Sequence, residues 1–191
     1  MAGVVGLLLA AGAGQRMGTP KALVLGDGGI PWVVSSTRVL RAGGCTEAVV
    51  VIGAEAARVR SLLAPEPVSV VDAIDWEEGM GASLRAGLAA LATVSASAAL
   101  IHLVDLPDVG SDVIARVIGL ADPAILARAS YQGRPGHPVL IGRDHWDAVA
   151  EEATQDRGAR TYLAGRKVAS IDCSDLATGI DVDFRGSMLG G

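Results

Sequence analysis

The sequence predicts an α/β protein in three layers: a Rossmann-like, mostly parallel sheet with helices on both faces. Two observations predict it. Short aliphatic runs alternate with segments of helical period, and strands that alternate with helices build parallel sheets. Half of the residues are hydrophobic while only 3% are aromatic, so the core must be Val, Ile and Leu, as in strands buried on both faces. The 191 residues suit one domain spanning 1–191.

The elements follow in order. Val4 to Ala11 reads as a buried strand that breaks into a glycine-rich loop. Pro31 starts a helical pattern through Trp32, Val33, Val34, Val39 and Leu40, which Gly43 and Gly44 end. Ala48 to Ile52 is a second strand, Ala54 to Leu63 a helix ended by Pro65 and Pro67, and Val68 to Val71 a third strand. Asp72 to Met80 is polar and turn-like, and Gly81 to Thr93 is a helix with Leu84, Leu88 and Leu91 on one face. Ala99 to Val104 is a fourth strand; the alanine-rich segment 86–99 before it is helix and turn. Ser111 to Leu120 is a helix with Ser111 as its N-cap, and Ala124 to Ala129 is a strand. Tyr131 to Pro138 reads as a loop and Val139 to Ile141 as a short strand. Asp144 to Ala153 and Gly158 to Leu163 are helical, Val168 to Ile171 is the last strand, and Phe184 to Gly191 is loose.

Bulk properties exclude several classes. A net charge of −5, a pI near 5.1 and no basic run argue against a nucleic-acid partner. No apolar run reaches the ~18 residues of a membrane span. Met1 to Ala11 lacks a positive flank, so a signal peptide is not expected. Cys45 and Cys173 lie far apart without metal-ligand spacing, which fits reduced thiols in a cytoplasmic protein.

In a parallel sheet, ligands bind at the carboxyl ends of strands near the switch in strand order. The loops after the first and fourth strands are therefore the expected site. The first runs through Gly12, Gly14 and Gly18, with Arg16 and Lys21 beside them and Pro20 stiffening the approach to the lysine. Glycines let backbone N–H groups approach an anion, and two cations there suit a polyphosphate. The spacing is not that of a P-loop, because no Gly-Lys is followed by Ser or Thr. Nor is it the dinucleotide fingerprint, because Met17 stands at the third glycine. A plain glycine-rich turn is the alternative.

Asp105 closes the fourth strand at Leu103-Val104-Asp105-Leu106-Pro107. A carboxylate there needs a cation or hydrogen bonds, and magnesium fits; a capping or turn aspartate is the alternative. Ser83, in Gly79-Met80-Gly81-Ala82-Ser83, stands near a helix start that suits an anion or a base edge, or is an ordinary helix-start serine. His137, in Gly136-His137-Pro138, is an acceptor-side donor or a loop histidine. His102 lies within a strand and reads as a satisfied core histidine. Asp181-Val182-Asp183 supplies a second carboxylate or is a solvated acidic turn.

Leu8 to Leu23, LLAAGAGQRMGTPKAL, resembles the signature loop of nucleotidyltransferases with the nucleotide-diphospho-sugar transferase fold. Within them it is most similar to the MobA-like molybdenum-cofactor nucleotidyltransferases, above all the cytidylyl-transferring branch. Leu103 to Pro107, Gly79 to Leu84, Gly133 to Pro138, Asp156 to Arg160 and Asp181 to Asp183 resemble further family segments in the same order. Two departures stand out: Gln155 replaces a glycine, and Phe184-Arg185-Gly186-Ser187 replaces the usual Thr-Pro-Glu-Asp.

The resemblance implies a cytoplasmic, magnesium-dependent enzyme that moves a nucleotidyl group from an NTP onto the phosphate of molybdopterin and releases pyrophosphate. It implies nucleotide contacts at Leu9, Ala10, Ala11, Gly12, Gly14, Arg16, Lys21, Gly79, Ser83 and Asp105, with Arg16, Lys21 and Asp105 catalytic. Asp105 and Asp183 would hold the metal, Asp181 being the other choice, and His137 and Arg160 would meet the acceptor. Ala11 stands where guanylyl-transferring relatives carry glycine, which points to CTP over GTP. A molybdoenzyme would be the client. Two alternatives remain open: a sugar- or polyol-phosphate nucleotidyltransferase, and a non-catalytic chaperone that carries nucleotide or pterin cofactor.

Overall fold

The computed structural model describes residues 3–183; Met1, Ala2 and the segment Phe184 to Gly191 lie outside the described residues. Seven strands form one sheet: β1 (Gly3–Ala10), β2 (Glu47–Ile52), β3 (Ser69–Asp72), β4 (Ala96–Leu103), β5 (Leu126–Tyr131), β6 (Arg134–Gly142) and β7 (Ala169–Asp172). Their order is β3-β2-β1-β4-β6-β5-β7. β1 pairs in parallel with β2 and β4, β2 with β3, and β5 with β7, while β6 runs antiparallel to both β4 and β5. The chain builds outward from β1 to β3 and then returns to the other side of β1 as β4. The loops after β1 and β4 therefore part at this reversal and open a crevice.

Alternation along each strand feeds two cores. Leu8, Val50, Leu100 and Leu140 face one side, where α1 (Trp32–Ala42), α2 (Ala56–Leu63) and α4 (Ser111–Ile118) cover them through Val33, Leu40, Val59 and Ile114. Leu7, Val51, Ile101 and Ile141 face the other, under α3 (Met80–Ala90), α5 (Trp146–Glu152) and α6 (Arg160–Leu163) through Leu84, Leu88, Val149 and Leu163. The three-layer reading holds, and the sheet is mostly parallel. No helix among the described residues is long and apolar enough to cross a membrane. Cys45 and Cys173 are both free and buried, and burial pushes the Cys45 thiol up to about 12.

Four expectations are corrected. Tyr131 to Pro138 is not a loop: Gln132 and Gly133, at φ of 51° and 76°, make a two-residue turn, and β6 starts at Arg134. Pro135 and Pro138 argue against a strand, but a register shift opposite Arg128–Ser130 takes part of that segment out of the regular ladder. Residues 96–99 are strand rather than helix and turn, because their position between β1 and β6 overrides alanine's weak strand preference. Ser111 is the first helical residue; Gly110 is the N-cap and no side chain caps the helix. His102 is buried at 1% exposure, but neither ring nitrogen has a hydrogen-bond partner among the described residues.

That last correction predicts acid sensitivity. Burial, with His137 nearby, lowers the His102 pKa to about 3; burial, with Arg128 and Arg160 nearby, lowers that of His137 to about 4. Below the ordinary histidine pKa of 6.5 the unfolded chain takes up protons that the folded chain refuses. Stability should therefore fall as pH drops from about 6.5 towards 4. His102→Leu removes one of these groups and two unsatisfied nitrogens, so it should recover about 2 kcal/mol at pH 5. Urea unfolding at pH 7.5 and pH 5 measures this; equal wild-type stability at the two pH values would refute it.

Candidate active site

The loop after β1 is shaped by its own backbone. Met17 N–H donates to the Gly14 carbonyl at 2.9 Å, and Gly14 takes a φ of 60°, where a Cβ would come within 2.0 Å of the Thr19 carbonyl oxygen. No side chain fits there. Gly12 differs, because a Cβ at that position would meet nothing within 4 Å. The fold does not demand glycine at 12; a side chain would simply stand in the crevice.

Pro20 precedes a 3-10 turn, Lys21–Leu23, anchored by buried Ala22. This turn aims Lys21 across the crevice, where Nζ donates to Asp105 Oδ2 at 2.7 Å and to Asp183 Oδ1 at 2.7 Å. Arg16 Nη1 donates to the other oxygen of Asp183 at 3.0 Å. The C-terminal segment reaches this place by backbone pairing: Val182 N–H donates to the Asp105 carbonyl at 3.0 Å, and Asp108 accepts from the Thr178 backbone at 2.7 Å. Two segments, 84 and 162 positions from Lys21 in sequence, thus meet at that one side chain.

The electrostatics follow from the pairing. Burial opposes the Lys21 ammonium, but the hydrogen bonds and charges of Asp105 and Asp183 outweigh it and hold its pKa above the ordinary 10.5. The Lys21 hydrogen bond, with smaller help from the charges of Lys21 and Arg16, holds the Asp183 carboxyl below the usual range against some desolvation. Asp105 Oδ1 remains buried without a partner among the described residues. Carboxylate oxygens of Asp105, Asp181 and Asp183 lie within 4.8 Å of one another. An all-oxygen set with one desolvated, unsatisfied oxygen fits a hard divalent cation. Both aspartates of the Asp181–Asp183 segment therefore lie within reach, and Asp183 is the one that Lys21 and Arg16 hold.

Lys21, Arg16, Asp105 and Asp183 line a crevice of about 770 Å³. Leu9, Ala10, Ala11, Gly12, Gly14, Arg16, Lys21, Gly79, Ser83, Asp105 and Asp183 all line it. His137 and Arg160 do not. They lie with Arg128 in a second basic group, on the face of β5 and β6 covered by α6. There burial and the two arginine charges depress His137, and the Arg128 guanidinium donates to the Gly136 carbonyl at 3.2 and 3.3 Å.

Sequence reasoning missed Trp76, Met80 and Asp156 as crevice residues. Gly79 and Gly81 are glycine because the backbone of Thr154 and Gln155 packs onto the start of α3, leaving no room for a Cβ. Only the rarity of aromatic residues could have singled out Trp76.

Comparison with known proteins follows the same lines. The family described as MobA-like NTP transferase domain matches residues 6–171. The chain is 40% identical over 190 residues to a nicotine blue oxidoreductase of Paenarthrobacter nicotinovorans, covering 94% of this chain and 92% of that one. It is 33% identical over 182 residues to a molybdenum cofactor guanylyltransferase of Rhodobacter capsulatus, covering 93% and 85%. Among solved structures, a nucleotidyl transferase from Methanothermobacter thermautotroptrophicus superposes with a TM-score of 0.84, covering 98% and 94% at 20% identity, which speaks to the fold. That fold is the nucleotide-diphospho-sugar transferase fold.

Proposed function

The chain belongs to the MobA-like NTP transferase family, and from that premise we propose that it is a magnesium-dependent nucleotidyltransferase acting on molybdopterin or its molybdenum-loaded form. It moves CMP from CTP, or less readily GMP from GTP, onto the terminal phosphate of the acceptor. The observation that carries this reading is Lys21 bridging Asp105 and Asp183 at the end of a glycine loop with Arg16 beside it.

An acceptor phosphate oxygen attacks the α-phosphorus in line. The bond from that phosphorus to the bridging oxygen breaks, and pyrophosphate leaves with the electron pair. The attacking phosphate is largely ionised at pH 7, so no general base is needed. In support, no histidine or cysteine lines the crevice among the described residues. Arg16 and Lys21 balance the triphosphate and the charge that grows on the leaving group. Backbone N–H groups of the open loop at Gly12 and Gly14 face the phosphates and base. Asp105 with Asp183 or Asp181 would hold magnesium, which supplies further charge neutralisation at the phosphates. Arg160, His137 and Arg128 form the acceptor side. The product would pass to a molybdoenzyme.

The preference for CTP rests on Ala11, which is buried to 3% exposure in the same apolar cluster that Trp76 packs against. Its methyl narrows the crevice relative to glycine, which favours the smaller pyrimidine. Calorimetric titration with CTP and GTP tests this, and CTP is expected to bind several-fold tighter; tighter GTP binding would overturn the preference. Pyrophosphate release across a panel of NTPs and phosphorylated acceptors tests the function itself. No release with any pair would leave the carrier reading.

A second reading comes from the relative at 40% identity, whose name describes a nicotine blue oxidoreductase. On that reading the same crevice would take nicotine blue for a redox reaction. A change in nicotine blue absorbance on incubation with the protein, in the absence of pyrophosphate release, would favour it over nucleotidyl transfer.

A further inference from the structure

We infer that Trp76 is the platform on which the nucleobase stacks; this rests on the nucleotide reading of the crevice and deepens it. Arg16, Lys21, Asp105 and Asp183 lie at one end of the crevice. Asp105 follows β4, and Asp183 is tied to it through Val182. Trp76 lies at the other end, past the ends of β1 and β2. A Cβ at Gly53, just after β2, would come within 2.5 Å of the indole Cγ and 2.8 Å of the Ala11 carbonyl oxygen. The indole therefore rests directly on backbone where the loops after β1 and β2 run side by side, joined by the Ala54 N–H donating to the Ala11 carbonyl at 2.9 Å. Gly53 and Trp76 are matched: only glycine leaves the ring that seat.

The platform is held before any ligand arrives. Trp76 opens a 3-10 turn, Trp76–Glu78, and its N–H donates to the carbonyl of buried Ala73 at 3.2 Å. Its ring packs against the apolar cluster under α3 while staying half-buried and lining the crevice. The other two tryptophans serve the core, Trp32 at 2% and Trp146 at 5% exposure. In a chain this poor in aromatics, a fixed indole facing the crevice, at the end away from the phosphate-binding cations, suits a flat heteroaromatic ring. Stacking tolerates any base, so Trp76 would supply affinity to CTP and GTP alike and leave the choice between them to other contacts.

The three tryptophans make the test direct. CTP and GTP, with magnesium, should quench wild-type tryptophan emission to saturation, and inorganic triphosphate should bind with little quenching. Trp76→Leu should weaken CTP and GTP by about the same factor, roughly tenfold, and leave triphosphate affinity unchanged. Trp76→Phe should restore most of the nucleotide affinity while the quenching signal is lost. Wild-type nucleotide affinity in Trp76→Leu, or full quenching by triphosphate alone, would overturn the inference. If wild-type protein binds NTPs but its emission does not respond, the inference falls and the nucleotide reading stands. If it binds no NTP at all, both fall. The wild-type quenching measurement decides the matter even if Trp76→Leu fails to fold.

Discussion

Asp105→Asn is expected to lower kcat/KM for pyrophosphate release by about 10³-fold or more, while the protein stays folded. The substitution keeps shape and leaves one acceptor oxygen for the Lys21 ammonium now 2.7 Å away. What it removes is charge at the buried Oδ1, which has no hydrogen-bond partner among the described residues. Lys21 keeps Asp183 at 2.7 Å, so the loop after β1 should stay in place. Two measurements separate the roles. Far-ultraviolet circular dichroism and the thermal midpoint should change little. Manganese titration followed by electron paramagnetic resonance should show weakened metal binding. Near-normal turnover in Asp105→Asn would remove this carboxylate from the chemistry.

Lys21→Met should cost about 10²- to 10³-fold in kcat/KM by a different route. The ammonium is placed by two charge-assisted hydrogen bonds, and its side chain is only 17% exposed. Removing it leaves the carboxylates of Asp105 and Asp183 facing each other without the cation between them. The Asp183 carboxyl, held down chiefly by the Lys21 hydrogen bond, should titrate higher in the variant. Lys21→Arg should rescue little, because a planar guanidinium fork cannot replace a compact ammonium seated between two acceptors. Turnover near the wild-type rate in Lys21→Met, in folded protein, would refute the role.

Much of this arrangement was legible in the chain. Aliphatic runs of strand length separated by helical periods gave the layered sheet, because burial on both faces leaves that pattern. Arg16, Lys21 and Asp105 stood out because charged residues beside glycines, or at the end of an apolar run, have no packing role. Misses occurred where tertiary context reversed a local preference. Prolines in β6 argued against a strand that a register shift makes possible. Alanines at the start of β4 argued for helix where a place in the middle of the sheet dictates strand. Phe184 to Ser187, where the resemblance to the family segment breaks off, lies outside the described residues.

The sequence alone settled the layered α/β class and the loop that opens the crevice, because hydrophobic periodicity and turn chemistry are local properties. Only the tertiary structure decided which charges meet. Lys21 sits 84 positions from Asp105 and 162 from Asp183, and the three are joined by sheet order and by one backbone hydrogen bond from Val182. It likewise set His137 and Arg160 apart from the crevice and put Trp76 into it. Contacts between residues so far apart follow from how strands are ordered, and no local pattern in the chain records that order.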